Sequence, residues 1–247
     1  MKKLILSVLF ASVSGICLAQ ISFGVQLGAN MGMGKFKYSE ESFQGYDSHT
    51  QKNKAKVGFL GGFIVDIPLS GPLSFSPELN FIQEGTKNTT TGIDGVYSFV
   101  EEQKITLNYI QLPLNIVYKM PVGPGSVFFG LGPSLNLGIS GKNKYKFSST
   151  FDPEDSEEFK VKFDGKKSDD LDPDDNDDHL KRVDVGINVM AGYKLGMGVF
   201  IKLAYNHGFM DINPNKNNED PQDRSKYKNS GFRVGIGYMF GGGGKKK

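Results

Sequence analysis

The sequence has no tryptophan, one cysteine and three histidines in 247 residues. The single thiol, Cys17, falls in the N-terminal leader described below. The remainder therefore has neither a disulfide framework nor a thiol nucleophile. No apolar run reaches ~18 residues, so no helix can cross a membrane. The formal net charge is +2, and 29 basic residues less Lys2 and Lys3 leave 27 against 27 acidic ones. That balance gives no case for a nucleic-acid surface. A helical period is missing as well, whereas glycine (32) and phenylalanine (19) are abundant.

Met1–Gln20 supplies what the rest lacks. Lys2 and Lys3 form a basic start, Leu4–Val13 is an apolar stretch too short to span a bilayer, and Cys17-Leu18-Ala19 puts small residues at −3 and −1. This predicts a signal peptide over 1–19, cleaved after Ala19. Ile16, which is not small, argues against acylation of Cys17. The mature chain of about 228 residues suits one domain of β type, predicted over 20–240, followed by a flexible 241–247 tail, GGGGKKK.

The pattern in the mature chain has period two. In Val183–Leu195 the apolar residues Val183, Val185, Ile187, Val189, Ala191, Tyr193 and Leu195 alternate with Asp184, Gly186, Asn188, Gly192 and Lys194; only Met190 breaks step. After Gly196-Met197-Gly198 the alternation resumes from Val199 to His207. Successive strand side chains face opposite ways, so this is a hairpin with one apolar and one polar face. The same reading predicts strands over Ile21–Met33, Val57–Ile67, Leu73–Phe81, Ile105–Tyr118, Val127–Ile139 and Phe232–Phe240. Pro77 removes a ladder donor and predicts locally open pairing. In Ile105–Tyr118 the apolar phase shifts, which predicts a bulge near Tyr109 that keeps Ile105, Leu107 and Tyr109 outward.

Eight strands is an even number, and each is a bilayer's length of tilted strand. Short links (68–72, 120–125, 196–198) alternate with long polar ones (near 34–55, 86–103, 142–182 and 211–229). The fold class predicted is all-β, an eight-stranded antiparallel up-and-down transmembrane barrel with lipid outside and a polar lumen inside. A soluble barrel of reversed faces would put the Phe and Leu positions in the lumen and leave the glycines outside without purpose.

Several stretches resemble the PorT-like outer-membrane β-barrel proteins: Phe75–Gly85 (FSPELNFIQEG), Tyr109–Asn115 (YIQLPLN), Asp184–Asn188 (DVGIN), Ala191-Gly192-Tyr193 and Tyr205–Gly208. The resemblance implies the bacterial outer membrane, in contact with its lipid, and keeps a role in type IX protein secretion open. The last strand is similar to the signal read by the barrel-assembly machinery, carried by Arg233, Gly235, Tyr238 and Phe240; the tail beyond Phe240 departs from that pattern.

Chemistry-bearing residues are few. Asp66, Glu78, Asp184, Lys194, Lys202 and Arg233 fall on the inward parity and predict a paired, hydrogen-bonded lumen network. His207 sits at the outward rim with no Ser or Asp at i±2, so no catalytic residue is assigned. Seven aspartates lie within 169–178. Asp170, Asp172 and Asp174 have calcium-loop spacing, but Asp175 stands where glycine is wanted and Lys181 where the last ligand is wanted. Weak calcium binding at most is expected. Nothing calls for a cofactor. The reading that results is a non-enzymatic barrel with a structural or interaction role, its long extracellular loops meeting an envelope protein partner; the lumen of eight strands is filled by side chains rather than being a wide pore.

Overall fold

In the computed structural model, residues 21–37, 48–151, 154–167, 174–217 and 226–241 are described. The expected signal peptide over 1–19, most of the tail, and Asp170 and Asp172 lie outside these residues. The strands are β1 (Ser22–Gly32), β2 (Lys35–Lys37), β3 (Ser48–Pro68), β4 (Leu73–Asp94), β5 (Tyr97–Val122), β6 (Gly125–Ser149), β7 (Asp155–Lys162), β8 (Asp178–His179), β9 (Val183–Leu195), β10 (Val199–Gly208), β11 (Lys226–Lys228) and β12 (Ser230–Phe240).

Eight of them close a ring in the order β5-β4-β3-β1-β12-β10-β9-β6, with β6 pairing back onto β5. Every pair in the ring is antiparallel. Closure satisfies each strand's backbone groups on both sides, the condition for crossing lipid with strands. Phe23, Leu27, Phe63, Leu131, Leu203 and Ile236 lie exposed on the outer wall, and Gln26, Asn30, Glu78, Asn80, Asn115 and Asn188 are buried inside. Both termini of the ring and three tight turns share one end. Gly71, Gly123 and Gly198 take positive φ in those turns, where a side chain would be strained.

Three corrections to the sequence expectations follow. First, most of what reads as long polar loops is strand. Ser48–Ala55 pairs with Thr86–Ile93, Thr86–Asp94 with Tyr97–Ile105, and Lys142–Ser149 with Phe99–Thr106. Threonine-rich 86–91 suits a half-buried pleat, and alternation continues there with Thr86, Asn88 and Thr90 buried. β7 extends this sheet along β6, and the two-residue β8 joins β7 in parallel. The barrel therefore carries a tall sheet on one side of its long-loop end.

Second, the irregularity at Tyr109 is in the β5–β6 ladder, where Asn108 pairs Ser140 and Tyr109 pairs Gly138. The extra residue, Ile139, is on β6. β5 runs through without a phase change, so Ile105, Leu107 and Tyr109 point inward. A second shift, between Ala55 and Leu60, puts one extra residue on β3. Near Pro77 the pairing lapses on both sides, between Ile64 and Ile67 on β3 and between Pro77 and Asn80 on β4.

Third, the lumen is polar only in its middle. At the long-loop end Leu60, Ile82, Ile105, Leu107 and Tyr109 from the wall pack with Val161, Phe163, Ile212 and Tyr227 from the overlying segments. At the tight-turn end Ile64, Val117, Phe128, Met190, Phe200, Ala204 and Met239 form a second apolar cluster. Met190, out of step in sequence, belongs to it. Glycines on the wall make room for the inward rings: a Cβ on Gly138 would lie 2.2 Å from Phe163, and one on Gly237 2.3 Å from Phe200. The parity rule reads each strand's two faces but not what covers the inner one.

Candidate functional site: lumen network and extended sheet

Two charged centres sit between the apolar ends. In the lower one Lys202 on β10 donates to both carboxylate oxygens of Glu78 on β4, at 2.7 and 2.8 Å. Gln26 and Asn80 also donate to Glu78, at 2.9 and 3.0 Å, so its lone pairs are well used. In the upper one Arg233 on β12 donates to Glu84 at 2.8 Å and to Asn30 at 3.3 Å, and it also contacts Gln111. Both pairs are almost fully buried. Amides fill the rest of the middle layer: Asn188 donates to Asn115 at 2.9 Å and Asn206 to Ser134 at 2.6 Å. Asp66 pairs with Lys119 near the tight-turn end.

The six expected network residues are thus all placed inside the wall, but two lack the expected ionic partner. Asp184 is fully buried and meets no cation: it accepts from the backbone N–H of Met210 and, at the edge of hydrogen-bonding distance, from the amides of Asn136 (3.4 Å) and Asn229 (3.5 Å). Lys194 is half-buried near Lys119 and Asp66, with no hydrogen bond or ion pair of its own among the described residues. Glu84 and Lys119 complete the network and were missed. Each lies just past the end assigned to its strand, and continuing the parity three residues past Phe81 and one past Tyr118 would have found them. A cavity of about 50 Å³ remains beside Lys194, between Phe128 and Phe200. That is space for a few waters, not for a substrate.

The extended sheet has a different chemistry at its tip. Phe151 stacks on Tyr97 at 6.3 Å, and Phe99 on Phe147 at 5.9 Å. Val96 (85% exposed), Phe151 (68%), Ile93 and Val100 leave an apolar crest in solvent. Ser98 and Thr150 lock the two hairpin ends together through bonds of 2.9–3.0 Å. Below, His179 is buried and holds Asp164 at 2.7 Å, while Lys162 pairs with Asp175 at 2.9 Å. Burial opposes ionisation of Asp164, but the bond from His179, the bond from the Lys166 backbone N–H and the nearby positive charge together outweigh it and leave the carboxyl below its ordinary range. The bond from Lys162 does the same for Asp175. Burial pushes the Asp178 carboxyl the other way, up.

Of the calcium-spaced aspartates only Asp174 is described, and it is exposed. Among the described residues no group of three acidic, His or Cys side chains could hold a metal ion. His207 lies on the outer rim between Tyr205 (6.4 Å) and Phe209 (5.6 Å). In the final strand Tyr238 and Phe240 pack on the outer face at 4.9 Å, Gly235 opposes Gly28, and Arg233 faces in.

A closed ring of bilayer-length strands, apolar outside and polar at mid-lumen, defines an outer-membrane β-barrel. Residues 13–213 match the outer membrane protein beta-barrel domain family, and the chain belongs to it. Among solved structures, the outer membrane protein OprG from Pseudomonas aeruginosa is 13% identical, with 89% of this chain and 95% of that one covered, at a TM-score of 0.38. The attachment invasion locus protein Ail of Yersinia pestis is 13% identical over 90% and 99%, at 0.35. The outer membrane protease OmpT of Escherichia coli is 12% identical over 89% and 96%, at 0.34. No curated protein matches the sequence.

Proposed function

We propose that the protein is a non-enzymatic outer-membrane barrel that presents an extracellular β-sheet to an envelope protein partner. One observation carries this reading: the sheet ends in an exposed aromatic and aliphatic crest built from Ile93, Val96, Val100, Phe147 and Phe151. Exposed apolar patches of this kind mark interaction sites. The ordered Tyr97–Phe151 and Phe99–Phe147 stacks limit the entropy lost on docking. The filled lumen supports an anchoring role over a conducting one. Export through the 1–19 leader and assembly through the signal at Arg233, Gly235, Tyr238 and Phe240 complete the reading.

A photo-crosslinking residue at Val96, in intact cells, tests it. The expected result is a discrete protein adduct that disappears with Phe147→Ser/Phe151→Ser and does not form from Ser70. Absence of any adduct, or one indifferent to the two phenylalanines, would overturn it. The PorT-like stretches favour a second reading, a component of type IX secretion. Copurification of secretion proteins that survives the tip substitutions would select it. Hydrolysis of a lipid or peptide, lost in His207→Ala, would instead make the protein an enzyme.

A further inference from the structure

The strand registers bring four lysines into one row across the extended sheet. Lys54 on β3 is directly opposite Lys87 on β4, Lys87 is opposite Lys104 on β5, and Lys104 is opposite Lys144 on β6. Residues directly opposed in an antiparallel pair share a face, with Cβ atoms ~4.5–5.5 Å apart, and like charges so placed destabilise the sheet. All four side chains are exposed, and the alternate positions Asn88, Gln103 and Asn143 are buried on the other face. Lys144, with Lys142, is neutralised by Glu158 on β7, at 2.5 Å from Lys144. The ammonium groups of Lys54, Lys87 and Lys104 have no ion pair or hydrogen bond among the described residues. The acid nearest in register, Glu102, lies one row further out and faces Lys146. Lys56, just inside the row, sits below its ordinary pKa because of burial and then because Lys104 and Lys87 are its neighbours.

The height of the row is informative. Parity on β4 and β5 is unbroken from Phe81 and Ile110, on the lipid-facing wall, to Lys87 and Lys104. Between them lies an outward polar band in which Gln83 donates to Asn108 at 3.2 Å and Asn108 to Ser140 at 3.0 Å. This band marks the end of the apolar wall. Lys104 is four residues past Asn108, or roughly 13 Å along the strand and about 10 Å in height at barrel tilt. The polar layer of a leaflet is on the order of 5–8 Å deep, and a lysine stem can lean back toward it.

We propose that Lys54, Lys87 and Lys104 bind the phosphate groups of an outer-leaflet lipid, which supplies the anion the row lacks. A lipid is the occupant the geometry favours, because the row is on the same wall that faces the acyl chains and within reach of their headgroups. Three ammonium groups on adjacent strands, about 10 Å from first to last, suit a headgroup with more than one phosphate.

The test uses the full barrel in detergent, with bisphosphorylated lipid A and its dephosphorylated form as probes and native mass spectrometry or fluorescence titration as readout. The wild type should prefer the phosphorylated lipid at least tenfold. The preference should fall about fivefold for each lysine removed, the ~1 kcal/mol expected of one ammonium at an anionic surface. It should vanish in K54Q/K87Q/K104Q and persist in K35Q/K226Q/K228Q, which removes three lysines from the β2–β11 ribbon instead. The single variant K104Q, with K104R as rescue, decides the matter if the triple variant fails to fold. Equal binding of the two lipids, or an undiminished preference in the triple variant, would overturn the proposal. So would competition by inorganic phosphate at lipid-like affinity, which would make this a free-phosphate site, or a lysine-dependent affinity for soluble heparin alone.

Discussion

At the scale of single residues, the buried charges decide most. Arg233 compensates Glu84 and orders Gln111 and Asn30, so its removal leaves a carboxylate in the lumen with no cation in contact. Breaking one partner of such a pair costs about 3–5 kcal/mol, whereas replacing both with apolar groups costs far less. Arg233→Ala should therefore lower resistance to urea and to heat in SDS by that amount. Arg233→Met/Glu84→Leu should recover part of it, limited by the amides left behind. An Arg233→Ala barrel as stable as wild type would exclude the Arg233–Glu84 pair as a stabilising contact. Glu78 is cushioned differently, since Gln26 and Asn80 remain if Lys202 is lost. Which charges face inward was readable from parity. Which charge meets which was not, because Lys202 and Glu78 are 124 residues apart and meet only when the ring closes.

At the scale of elements, the overlying residues 163–167 and 174–180 depend on ionised carboxylates. Asp164 and Asp175 are held below the ordinary range, so they stabilise the segment above pH ~4 and stop doing so as the pH falls through their folded values. Asp178 has the opposite sign: burial raises it, so it protonates first and relieves a cost. Hydrogen exchange of residues 163–167 and 174–180, corrected for intrinsic rate, should stay flat from pH 7 to 5 and rise below about 4. A rise already between pH 7 and 5 would exclude these carboxylates as the cause. The sequence reads this region as an acidic surface loop. It does not tell that Phe163 would reach back over Gly138 and meet Tyr109 edge-on at 5.4 Å. The long strands were hidden for another reason: polar alternation above a membrane carries the same period as below it, but with threonine and lysine in place of leucine.

At the scale of the whole molecule, the wall is a cylinder filled at both ends and extended on one side. β5 and β6 run 26 and 25 residues, while β10 and β12 stop at 10 and 11. From Asn108 to Tyr97 the sheet rises about 35 Å along the strand. Tight turns belong to the periplasmic side in this class of barrel, so the sheet and its crest are expected to be external. Cys17 is the one cysteine of the sequence, so single cysteines in a Cys17→Ser background can test this. An impermeant thiol reagent on whole cells should label Ser156→Cys and spare Ser70→Cys. The reverse pattern would invert the barrel and put the lysine row and the crest in the periplasm.

The sequence alone determined the number of wall strands, their antiparallel order, the lipid-facing residues outside Ile105–Tyr109 and six of the inward charges, because a strand that spans lipid must alternate with period two and a closed antiparallel ring must be even. It also carried the likeness to outer-membrane barrels in short contiguous stretches. The tertiary structure decided what alternation cannot encode: the Arg233–Glu84 and Lys202–Glu78 partners, the apolar ends of the lumen, and the continuation of β3 to β6 into a sheet. The row of Lys54, Lys87 and Lys104 belongs there too. Each lysine is unremarkable in its own strand, and the row exists only because two ladder registers, one of them shifted by a single-residue bulge lower in the wall, set them side by side.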